Sequence, residues 1–124
     1  MTALNNLAWL MVLLDDKTGN PLELINRAVE RHGLIPDLLD TRGVVYLKSG
    51  DANRAIDDLK RAIDLDPSAP RYFHLAQAYL QARNRKNAAE TLTEAHKKGL
   101  KSTDLHPLEE KAYKEVHADL GMPQ

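Results

Sequence analysis

Residues 43–63 read GVVYLKSGDANRAIDDLKRAI, and residues 76–96 read AQAYLQARNRKNAAETLTEAH. Laid over each other without a gap, Tyr46 falls on Tyr79, Leu47 on Leu80, Ala55 on Ala88, Leu59 on Leu92 and Ala62 on Ala95, each pair 33 residues apart. Self-similarity at such a period marks a supersecondary unit that buries its apolar face only by stacking on its neighbours. A more diverged copy precedes these two. With a shift of 34 or 35 residues, Leu7-Ala8 falls on Arg42-Gly43 and Ala28 on Ala62.

Each copy reads as two helices. In the second, Pro36 suits the first helical position, and Gly50 suits the left-handed residue that ends a helix. Asp51 then caps the next helix. That helix carries Ala52, Ala55, Ile56, Leu59, Ala62 and Ile63 at 3.6-residue spacing and stops at Asp66-Pro67. In the first copy, Asn20-Pro21-Leu22-Glu23 offers a cap, a first-position proline and a capping-box glutamate. In the third, Lys97-Lys98-Gly99 is a C-terminal signature. Small residues at Gly43, Ala55, Ala62, Ala76, Ala88 and Ala95 allow close helix approach.

The first copy also explains the run LAWLMVLL at residues 7–14. A secretory signal wants a basic leader and a small-residue cleavage site, whereas no Lys or Arg precedes Leu7 and Asp15, Asp16 and Lys17 follow. A membrane span wants roughly 20 apolar residues. The run therefore reads as the first helix of the first repeat, and a cytoplasmic location is expected, or a periplasmic one for an excised part of a longer exported chain.

Composition agrees with helices. The 124 residues carry 17 Lys and Arg, 18 Asp and Glu, no cysteine and few aromatics. A net charge of −1 gives no reason to expect nucleic acid or an anionic membrane as partner. Charge is uneven locally. Residues 71–101 hold seven basic side chains against two acidic ones, and residues 102–124 hold five acidic against two basic. This pattern reads as two solvated helix faces or, more sharply, as an acidic tail docked on the basic segment. Pro107 opens a seventh helix in that tail, with Leu108, Ala112, Val116 and Leu120 as its apolar stripe and Gly121 at its end. No phosphate-binding glycine loop, HExxH motif or calcium loop is present, and none of the five histidines lies three or four residues from another on one helix. Surface or packing roles are expected for all five. Asp57, Asp58, Asp64 and Asp66 read as a solvated face, with Asp57 and Arg61 at ion-pair spacing.

The repeats resemble the tetratricopeptide repeat (TPR) family, a helix pair of about 34 residues with small residues at fixed places, an aromatic in the first helix and a closing proline. Leu39, Gly43, Tyr46, Gly50-Asp51, Ala55, Leu59, Ala62 and Asp66-Pro67 carry the resemblance in the middle copy. The third copy lacks the mid-repeat glycine and final proline, and Arg42 stands where the family has leucine. The resemblance implies an all-α, right-handed α-solenoid forming one domain over 1–124, with helix-turn-helix repeats at about 2–33, 36–67 and 69–99. A capping helix at about 106–120 follows. It further implies a protein-interaction module rather than an enzyme, with no catalytic residues, metal or cofactor.

In that family the first helix of each pair lines a groove for a peptide or helical segment. The corresponding residues are Asn5, Trp9, Val12 and Leu13, then Asp40, Val44, Leu47 and Lys48, then Phe73, Gln77, Leu80 and Gln81. A family subset clamps acidic chaperone tails with Lys and Asn. The corresponding residues here are Asn5, Trp9, Thr41, Pro70 and His74, of which only Asn5 is suitable, so an apolar or mixed segment is expected instead. Two further expectations concern single features. Arg42 is expected to snorkel its charge to water, so that Arg42→Leu is neutral or stabilising. The apolar first helix is expected to leave Trp9, Val12 and Leu13 over on the groove side, for partner binding or for a homodimer in a self-associating scaffold.

Overall fold

The encoded caps set the helix starts. In the computed structural model, which describes residues 3–14 and 19–124, the Asn20 side chain accepts the amide of Glu23 at 3.1 Å and Asp51 that of Arg54 at 3.2 Å. Ser68 accepts the amide of Arg71 at 3.3 Å, and Asn84 that of Asn87 at 3.1 Å. These four caps start α2 (Pro21–His32), α4 (Ala52–Leu65), α5 (Ala69–Gln81) and α6 (Arg85–Lys97). With α1 (Ala3–Leu13), α3 (Pro36–Lys48) and α7 (Glu110–Leu120), every regular element of the described residues is helical. Gly33, Gly50, Gly99 and Gly121 end helices with positive φ. Asp15, Asp16 and Lys17, used above against a cleavage site, and residue 2, where the first repeat was set to begin, lie outside the described residues.

The helices pair as α1–α2, α3–α4 and α5–α6, and apolar layers join each pair to the next and the last pair to the tail. Ala8, Ile25 and Ala28 of the first pair close on Leu38 of α3, and Val12 on Val44 and Val45. Leu47, Ala55, Leu59 and Ile63 of the second pair close on Leu75 and Ala78 of α5. Gly43 lies where α3 and α4 touch. A Cβ there would stand 2.6 Å from Leu59 Cγ, so the small residue read from the repeat is a steric requirement.

The third layer joins α5 and α6 to the tail. Phe73, Leu92 and Ala95 pack against Tyr113 and Val116 of α7, with Leu100 and Leu105 closing the edge. The tail therefore docks through these apolar side chains, and through Glu109 on His74 and His117 on His96. The Lys and Arg side chains of α6 find no tail carboxylate, and α7 pairs Lys111 with Glu115 and Lys114 with Glu110. The expected seventh helix is shorter than its sequence pattern. Residues Pro107–Glu109 wind as a single 3-10 turn, because the amide of Leu108 donates to His106 Nδ1 and the amide of His106 donates to Glu109 Oε2. Consequently Leu108 is exposed rather than part of the buried stripe, which runs instead through Tyr113, Val116 and His117.

Charged residues correct two expectations. Arg42 does not snorkel: its Nε and Nη2 donate to both oxygens of Asp58 at 2.7 and 2.9 Å, and Nη1 donates to Asn26 at 3.3 Å. Asp58 is thus a buried ion-pair partner, not part of a solvated face, and the expected Asp57–Arg61 pair does not form.

Candidate functional site

First helices α3 and α5 run side by side, and α7 crosses beside them. Between the three lies a cavity of about 310 Å³. One wall is Leu47 and Lys48 of α3 with Gln77, Leu80 and Gln81 of α5; the other is Ala112, Glu115, Val116 and Asp119 of α7. Leucine, alanine and valine make an apolar lining, the two glutamines add amides, and Lys48 faces a wall that carries two acids. Gln81 Nε2 donates to the Leu47 carbonyl at 2.8 Å, which ties the rim of α5 to the end of α3.

A second cavity of about 200 Å³ opens where α1, α3 and α5 meet the loop before α7. Trp9, Asp40, Thr41, Pro70 and His74 line it together with Asp104, His106 and Glu109. Its floor is a carboxylate–imidazole–carboxylate row. His74 Nδ1 lies 2.8 Å from Asp40 Oδ1 and Nε2 lies 2.6 Å from Glu109 Oε1. Burial of His74 opposes a charge on the ring, but Asp40 and then Glu109 outweigh it and push its pKa up to about 10. At neutral pH the ring is therefore an imidazolium donating from both nitrogens, with no lone pair to take a proton. It is a tie between α3, α5 and the start of α7 rather than a general base. Trp9 stands edge-on to it, ring centroids 5.5 Å apart.

Beside this row, buried Arg71 of α5 donates to Asp37 at 2.6 Å and to the Asp66 side chain at 3.0 Å, with Asp40 at 4.0 Å. A third polar tie joins α6 to α7. His117 Nδ1 donates to the Tyr113 carbonyl at 2.7 Å, which leaves Nε2 to accept from His96 Nε2 at 2.8 Å. Burial, and then His117, hold His96 below the ordinary histidine range. Among the described residues, no three His, Asp or Glu side chains converge as a metal site, and no helix is long and apolar enough to cross a membrane.

The tetratricopeptide repeat model matches the chain over residues 36–69, the α3–α4 hairpin and its closing proline. That hairpin is similar to a tetratricopeptide repeat, and the seven-helix, repeat-like arrangement is consistent with it. No curated protein matches the chain. The TPR family points to a protein–protein interaction module.

Of the groove positions carried over from the TPR pattern, the structure gathers Leu47, Lys48, Gln77, Leu80 and Gln81 around the larger cavity and Trp9 and Asp40 around the smaller. The remaining five line neither. Phe73 is fully covered, its ring 5.9 Å from that of Tyr113. Asn5, Val12 and Val44 are buried, and Leu13 is half-buried. Val12 and Val44 pack between the first two hairpins, and Phe73 packs under α7, so that these faces are taken. What sequence reasoning missed is the α7 wall, and the Asp40–His74–Glu109 row, whose members lie far apart in the chain. Thr41, Pro70 and His74 were dismissed as a chaperone-tail clamp, yet they share one cavity with Trp9. Its carboxylates make it unfit for an acidic tail.

Proposed function

We propose that this protein binds a segment of a partner protein in the groove bounded by α3, α5 and α7. The observation that carries this reading is the cavity of about 310 Å³, walled by first-helix residues on one side and by α7 on the other. Leu47, Leu80, Ala112 and Val116 suit one or two apolar side chains. The flanking Gln77, Gln81, Lys48, Glu115 and Asp119 suit a segment that is polar on its other face, the pattern of an amphipathic helix or extended peptide. Such sites recognise a few apolar anchors amid polar contacts.

Selection from a displayed peptide library tests it. Wild type should enrich amphipathic sequences with one or two large apolar anchors. Gln77→Trp, which fills the cavity from a half-buried position without touching the layers between hairpins, should weaken the selected peptides at least ten-fold while melting as wild type does. Unchanged affinity in that variant would overturn the reading.

A further inference from the structure

We propose that α1 is a self-association surface, through which two copies of the chain meet about a two-fold axis along Ala3, Leu7, Leu10 and Leu14. This goes beyond the groove reading and uses a different face of the molecule.

The internal repeat shows what that face is built to do. Ala8, Gly43 and Ala76 occupy equivalent places, all buried. Counting from them, Ala3 corresponds to Leu38 and Arg71, Leu7 to Arg42 and Leu75, and Leu10 to Val45 and Ala78. In α3 and α5 these positions are closed by the hairpin that precedes each of them. Leu38 packs on Ala8, Ile25 and Ala28, Val45 on Val12, and Leu75 and Ala78 on Leu47, Ala55 and Leu59. Val45 and Leu75 are accordingly 4% and 6% exposed, whereas Leu7 and Leu10 are 50% and 42% exposed, and Leu14 is 63% exposed. Ala3, Leu7 and Leu10 thus continue the stacking interface of the fold. Leu14 extends their line just past the end of α1, where the equivalent Ser49 and Ala82 are exposed, and nothing among the described residues covers the stripe. Of Trp9, Val12 and Leu13, which the sequence suggested would be left over, Val12 is not, and Trp9 and Leu13 are half-buried. Val12 is buried in the second pair's layer, and Trp9 turns towards His74.

Three features select a second copy as the occupant. First, helix α1 contains no charged residue, so the stripe can face its own image without repulsion and offers no anchor to a charged partner. Second, its spacing alternates four and three residues, the seam of two helices crossing at a shallow angle. Third, the opposite end of the stack is closed by α7 over Phe73, Leu92 and Ala95. A head-to-tail arrangement has no free receiving face, which leaves head-to-head pairing, the commonest symmetry of soluble oligomers.

Sedimentation equilibrium of the whole chain over a wide concentration range tests this. The wild-type mass should rise from one copy towards two and stop there. Leu10→Glu and Leu14→Glu should remain monomeric at every concentration, with unchanged helicity and melting when dilute, because both side chains are already exposed. A wild type that stays monomeric to its solubility limit, a mass that climbs past two copies, or glutamate variants that still pair would each overturn the proposal.

Discussion

Arg42 and Asp58 depend on each other. The guanidinium uses two donors on one buried carboxylate and a third on Asn26. Removing one member of such a pair strands the other away from water, whereas removing both can be neutral. Arg42→Leu should therefore lower stability by about 2–3 kcal/mol, the arginine's partial exposure reducing the full cost of a buried pair. Arg42→Leu with Asp58→Leu should recover most of that loss in urea denaturation. Sequence alone showed that Arg42 is out of pattern but not why, because its partner sits on the neighbouring helix. His74 gives a residue-scale prediction in pH. Its folded pKa, about 10, stands above the ordinary 6.5, so the folded state holds the proton more tightly than the unfolded chain. The stability it contributes is complete below pH 6.5 and is lost as pH rises towards 10. The urea midpoint of wild type should fall between those limits more than that of His74→Gln, which carries no titrating ring. Parallel curves for the two proteins would contradict the charged tie.

At the scale of elements, local chemistry was legible and contacts across the chain were not. Asn20, Pro21, Pro36, Gly50, Asp51 and Gly99 each mark a helix end through its own backbone or side chain, and each stands at such an end. The tail was harder to read, because Pro107 and Glu109 can open a helix in either of two windings. The capping hydrogen bonds of His106 and Glu109 select the tighter one. Element equivalence also yields a prediction. Arg83 occupies the place of Gly50 and adopts φ +62°, a left-handed conformation that strains a side chain. Its backbone amide donates to the Leu80 carbonyl at 2.9 Å, and Asn84 follows as the cap of α6. Arg83→Gly should keep that turn and raise stability by about 1 kcal/mol. A thermal melt that does not rise would show that the arginine stem compensates for its backbone.

At the scale of the molecule, three stacked hairpins and a crossing tail helix produce a groove that no single repeat contains. The repeat pattern grouped Leu47, Lys48, Gln77, Leu80 and Gln81, which line one cavity, since equivalent positions of a stacked helix face the same way. It could not locate the α7 wall, because α7 lies outside the period. Nor could it show that α7 would use Tyr113 to seal Phe73, removing the residue that looked most like a binding anchor. The central claim is that partner segments enter between α3, α5 and α7. The most direct test is amide chemical-shift mapping of the labelled chain titrated with a peptide selected as described. Perturbations should concentrate on Leu47, Lys48, Gln77, Leu80 and Gln81 and, across the groove, on Ala112, Glu115 and Asp119. Perturbations confined to the outer faces of the second helices, around Lys60, Arg61 and Thr93, with those groove amides unmoved, would contradict the account.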